Sequence, residues 1–172
     1  LERVRKLAAE GKKVLVLCYN QPLAAHLQES LAKCCDNATA TTFHDFCVHV
    51  INATDTDLPD IQAPNYWNAL LPEAAFEATA SFPTRYDAIF IDEAQDFLAD
   101  WWVMIEELLD DPEESFFHIF GDDEQNLYGR EPAFPFTQPE YMLRRNCRNT
   151  GPIASFARTA VGFGDDESLA LL

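Results

Sequence analysis

Ile89-Phe90-Ile91, an apolar run of β-branched and aromatic residues that breaks directly into the adjacent acids Asp92 and Glu93, constrains this chain more than any other feature. A run this short, bounded by polar residues, reads as a strand buried on both faces, the kind found in parallel sheets covered by helices on both sides. Such sheets bind ligands beyond the carboxyl ends of their strands, where Asp92 and Glu93 emerge. A carboxylate at the first position suits Mg²⁺, directly or through water, and one at the second suits orienting and deprotonating a water that attacks a γ-phosphate. The same residues also read as a buried strand followed by a helix whose first-turn acids favour its positive end.

A second apolar run, Ser115 to Phe120, ends in Gly121-Asp122-Asp123-Glu124-Gln125-Asn126-Leu127-Tyr128-Gly129, and two strands with polar tips imply a shared site. Upstream, helices and strands alternate. Leu1, Val4, Leu7 and Ala8 have helical spacing up to Glu10, a strand follows over Lys13 to Tyr19, a helix over Pro22 to Cys34 and a short strand over Ala38 to Thr41. This is the βαβ rhythm of a parallel sheet. A helix over Phe43 to Asn52, a polar run over Ala53 to Asn65 and a helical stretch over Tyr66 to Ala80 around Pro72 come next. After the Asp87 to Ile91 strand, Phe97, Trp101, Val103, Ile105, Leu108 and Leu109 line a helix, with Trp101-Trp102 as core and rim packing.

Taken together, these segments resemble the first motor domain of superfamily 1 helicases of the UvrD/Rep kind. Asp92-Glu93-Ala94-Gln95-Asp96 matches that family's second motif, and the Gly121 to Gly129 run its third. Leu143-Arg144-Arg145-Asn146-Cys147-Arg148-Asn149-Thr150 is similar to the fourth, Val14 to Asn20 to motif Ia, and Thr41-Thr42-Phe43-His44-Asp45-Phe46-Cys47 to the next DNA-contacting motif. The resemblance implies an α/β, RecA-like P-loop NTPase motor domain with a parallel sheet flanked by helices. It also implies ATP and Mg²⁺ as cofactors, with Asp92 holding the metal and Glu93 activating water. Gln125 would sense the γ-phosphate, and Arg148 would reach it from the second motor domain with a planar, permanently charged fork. Arg144 and Arg145 read as a solvated face or as phosphate contacts to DNA. Single-stranded DNA would meet Tyr19, Asn20, Thr42, Phe43 and His44, with Tyr128 stacking on bases irrespective of sequence.

Several family features are missing. No G-x-x-x-x-G-K-[ST] phosphate cradle occurs, so the P-loop itself is absent from this chain. The expectation is that it lies a few residues upstream of Leu1, that residues 1–129 form a truncated first motor domain with a small insertion at about 53–84, and that 130–172 hold a linker and the start of the second. Such a fragment is expected to hydrolyse almost no ATP by itself. Cys147 stands where many relatives carry an adenine-stacking aromatic residue, and Glu131-Pro132-Ala133-Phe134 replaces their Trp or Phe followed by Arg-Gly-Ala.

The net charge of −17, from 29 acids against 12 bases, opposes non-specific DNA binding by this segment and leaves its acidic surface open to a protein partner. Cys18, Cys34, Cys35, Cys47 and Cys147 show neither zinc spacing nor a disulfide framework, which points to a reducing, cytoplasmic setting. No apolar run reaches the length of a membrane span, so no membrane partner is expected. Two other readings stand beside the motor: a catalytically inactive helicase-like scaffold that binds protein or nucleic acid, and a metal-dependent nuclease built on Asp87, Asp92, Asp96, Asp122 and Asp123.

Overall fold

The computed structural model describes residues 1–122 together with Pro135, Tyr141, Pro152, Ile153 and Phe156. Gln125, Tyr128, Arg144, Arg145, Cys147 and Arg148 lie outside the described residues, as does Asp123. The chain divides into two units, Leu1–Pro135 and Phe136–Leu172, and the elements that follow all belong to the first.

Four strands, β1 (Val14–Cys18), β2 (Ala38–Thr42), β3 (Ala88–Ile91) and β4 (Phe116–Ile119), pair in parallel in the order β2-β1-β3-β4. Each lies within a residue or two of the strand its apolar run predicts. Side chains alternate between the faces as the pleat requires. Val14, Val16, Ala38, Ala40, Ala88 and Phe90 point to a core shared with α1 (Glu2–Ala9) and α2 (Gln21–Ala32). Leu15, Leu17, Ile89 and Ile91 point to the other face, covered by α3 (Phe43–Asn52), α4 (Leu71–Thr79) and α5 (Trp101–Glu106). Because both faces are covered, β1 and β3 are buried along their whole length. Burial at that depth explains why their sequences run apolar without alternation.

The chain leaves β1 toward β2 on one side, and β3 then inserts on the other side of β1. The strand order therefore reverses between β1 and β3, and the crevice at their carboxyl ends is the topological switch point where open α/β sheets take ligands.

Short-range chemistry sets the helix boundaries. Gly11, at φ +85°, lets the chain turn out of α1, with its N–H donating to the Ala8 carbonyl at 3.0 Å. Asn20 caps α2 by accepting from the Leu23 N–H at 3.0 Å, and Pro22 fits the first turn, where a missing N–H costs nothing. Arg85 caps α4 at its far end, donating to the carbonyls of Thr79 and Phe82.

Two predicted helices differ in the structure. The stretch over Tyr66 to Ala80 divides into a π-helical turn, Tyr66–Leu70, and α4. Pro72 falls in the first turn of α4, where it has no N–H to lose, and the wider turn before it absorbs the change of register. The helix expected to carry Phe97 through Leu109 is shorter. A 3₁₀ turn, Ala94–Asp96, is followed by extended backbone at Phe97 and then by α5. Val103 faces outward rather than lining the core, and is 52% exposed. The segment 53–65 carries neither helix nor strand, whereas Leu71, Ala75 and Ala78 of α4 belong to the main core. Among the described residues no helix is long and apolar enough to cross a membrane.

Candidate active site

Asp92 and Glu93 emerge at the switch point. The Asp92 N–H donates to the Leu17 carbonyl at 2.9 Å, which extends the β1–β3 pairing by one residue and fixes where the strand ends. The chain then turns sharply, because Glu93 adopts left-handed backbone angles, φ 53° and ψ 47°. For a residue with a Cβ this conformation costs about 1–2 kcal/mol, and strain of this kind concentrates at functional sites. One Asp92 carboxylate oxygen accepts from the Glu93 N–H at 3.1 Å. The Ala94 N–H then donates to the Phe120 carbonyl at 2.9 Å, so the turn after β3 is tied to the end of β4.

Gln95, which the sequence reading placed in the second motif without a role of its own, is 3% exposed and completes this corner. Its Nε2 donates to Glu93 Oε2 at 2.7 Å, and its Oε1 accepts from the Asp122 N–H at 3.0 Å. Gln95 therefore links Glu93, next to Asp92 at the end of β3, to Asp122 just past β4. The field of these acids reaches the end of β1: burial, reinforced by the charge of Asp92, pushes the Cys18 thiol up to about 11. Asp92 fits a divalent cation of the Mg²⁺ kind, which takes one or two carboxylates and completes its shell with phosphate oxygens and water.

Asp87 does not belong to this group. It precedes β3 at the opposite end, where Lys12 Nζ donates to one carboxylate oxygen at 2.9 Å and the Lys13 N–H to the other at 2.8 Å. The nuclease reading required Asp87 beside Asp92. The strand between them separates the two, and among the described residues no cluster of three or more metal-ligating side chains occurs.

The expected nucleic-acid residues divide into two groups. Thr42 and Phe43 lie inside the protein, at 3% and 0% exposure, so neither offers a surface to DNA. Thr42 accepts from the Asp45 N–H at 3.1 Å and donates to Asp45 Oδ2 at 2.7 Å, which caps α3. Phe43 stacks on Trp101 with ring centroids 4.5 Å apart. Both side chains are packed inside rather than exposed. Tyr19, Asn20 and His44 remain at the carboxyl ends of β1 and β2. The Asn20 side-chain oxygen is engaged in the α2 cap. Tyr19 and His44 meet edge to face at 5.7 Å, and both rest on Trp101.

His44 Nε2 contacts the Trp67 carbonyl at 2.8 Å, which requires that nitrogen to carry the proton. Trp67 was not singled out in the sequence, yet it is 51% exposed and packs edge to face on the His44 ring at 5.5 Å. Trp101, by contrast, is fully buried and donates its indole N–H to the Asn68 carbonyl at 3.1 Å. The packing role read for the tryptophan pair therefore holds, and Trp102 is 3% exposed.

The family model described as AAA domain matches residues 1–131. The chain belongs to that family, and its helix-flanked parallel sheet is that of a P-loop NTPase-like domain, whose general chemistry is nucleotide binding and hydrolysis. No curated protein matches the chain.

Proposed function

From this AAA-domain membership, we propose that the intact protein is an ATP-dependent DNA helicase or translocase in which this chain supplies the metal-holding and water-activating corner. The observation that carries the reading is the Asp92-Glu93 pair at the switch point, with Glu93 turned into a strained conformation and its carboxylate held by a buried amide. Asp92, at the end of β3, would hold Mg²⁺, and the bound ion would supply positive charge to the nucleotide phosphates. Glu93 orients the attacking water and accepts its proton, while Gln95 fixes one carboxylate oxygen, Oε2. The resemblance supplies the remaining parts, Gln125 and Arg148, to the γ-phosphate.

For DNA, Tyr19 and His44 provide an aromatic edge beside the nucleotide crevice, with Asn20 next to it and Tyr128 completing it by resemblance. Stacking suits a motor that must pass over every base. With a net charge of −17, this segment contributes stacking and orientation, while most phosphate neutralisation comes from elsewhere in the intact protein.

The test is ATP hydrolysis by the intact protein with and without single-stranded DNA. The motor reading expects turnover that rises with DNA. Turnover absent under both conditions, with the fold intact, would leave the scaffold as the better account.

A further inference from the structure

Gln95 is one of only three buried polar side chains among the described residues, and its amide is used at both ends. On a helix, residues two apart in sequence do not face each other. Glu93 and Gln95 do so because the left-handed turn at Glu93 folds the backbone back on itself, bringing Nε2 to 2.7 Å from Oε2. The same amide's oxygen accepts from the backbone of Asp122, which opens the segment that carries Gln125 three residues later. A neutral donor holds the carboxylate by geometry alone, without setting a counter-charge against it.

We infer that Gln95 is a positioning residue whose amide fixes the Glu93 carboxylate and fastens it to the head of the segment after β4, so that acid and segment hold one arrangement. This rests on the proposed role of Glu93 as the acid that activates water. It extends that role by assigning the residue that orients it and by linking the ends of β3 and β4 through one side chain. The backbone bond from Ala94 to Phe120 runs beside this link, so the β3 turn and the β4 end are joined twice.

Single-turnover ATP hydrolysis by the intact protein tests this, with four chains compared: unaltered, Gln95→Met, Glu93→Gln and the double variant. Affinity for a fluorescent ATP analogue and melting temperature are recorded for each. Gln95→Met keeps the volume and removes both hydrogen bonds; it is expected to slow the chemical step about 10- to 100-fold at unchanged nucleotide affinity. On top of Glu93→Gln it is expected to add less than about 2-fold, because residues acting through one another are not additive. Gln95→Leu, which also removes both hydrogen bonds at similar volume, is expected to slow the step to the same degree. It serves as the second variant if Gln95→Met fails to fold.

A full rate in either Gln95 variant overturns the inference. So does an equal loss with and without Glu93→Gln, which would mark a purely structural residue. If the unaltered protein turns over and Glu93→Gln does not slow it, the reading of Glu93 fails while hydrolysis stands, and the positioning role of Gln95 falls with it.

Discussion

The two ends of β3 carry the same kind of residue and treat it in opposite ways. At the amino end, Asp87 is held by the Lys12 ammonium and the Lys13 N–H, and these two donors, Lys12 first, keep its carboxyl below the ordinary value of 3.8. At the carboxyl end, Glu93 is held by the neutral amide of Gln95, on strained backbone, among further acids. One end spends its acid on stability. The other keeps an oriented carboxylate at the point where the strand order reverses, an arrangement suited to chemistry on a bound nucleotide.

The comparison can be broken most forcefully at Glu93. Glu93→Gln in the intact protein is expected to lower the rate of ATP hydrolysis by about 10²- to 10⁴-fold, the usual worth of a general base. An unchanged rate would remove the chemical half of the contrast. Next in size is the aromatic base under the carboxyl end: Trp101→Ala is expected to cost about 3–5 kcal/mol in denaturant unfolding. A loss under about 1 kcal/mol would show that Tyr19 and His44 do not depend on it.

Asp87→Asn is expected to destabilise modestly, because the Lys12–Asp87 pair is partly exposed and screened. The sign follows from the shifts. Asp87 is lowered, so its contribution is present above the ordinary carboxyl value of 3.8 and lost as pH falls through its depressed value. Lys12 is raised by Asp87, so its contribution is present below 10.5 and lost as pH climbs through its elevated value. The gap between variant and parent in pH-dependent melting should therefore be widest between these limits and close at low pH. A gap that widens on acidification would contradict the assignment.

The smallest effect concerns thiols. With Cys18 pushed up to about 11, only about a thousandth is thiolate at pH 8, so iodoacetamide should label exposed Cys34 before Cys18. Comparable labelling of the two would show that burial and the acids do not act on Cys18 as described.

Much of the sheet was legible in the sequence because β1, β3 and β4 are short apolar runs, and α3 runs from Phe43 to Asn52 as expected. Asp92 and Glu93 were legible for the same reason, as the first polar residues after a buried strand. What could not be read depends on contacts between distant elements. The helix expected through Phe97 gives way to a 3₁₀ turn followed by extended backbone at Phe97, a break that no local propensity marks. Gln95 was legible as part of the motif but not in its role, because its partner lies two residues away, a spacing that faces nothing in a regular helix, and the left-handed Glu93 brings the pair together. Thr42 and Phe43 were placed on the DNA side by motif position alone, whereas helix capping and the stack on Trp101 draw them inside. Trp67 lies in the π-helical turn before α4, and nothing in its spacing ties it to His44, so its place beside that ring became visible only in three dimensions.

The most direct measurement sets the two ends of β3 against each other: ATP turnover and melting temperature of the intact protein for Glu93→Gln and Asp87→Asn side by side. The account predicts a crossed result, with turnover lost and melting unchanged or raised for Glu93→Gln, and turnover kept but melting lowered for Asp87→Asn. Two variants that lose turnover and stability in parallel, or Glu93→Gln that loses stability alone, would contradict it.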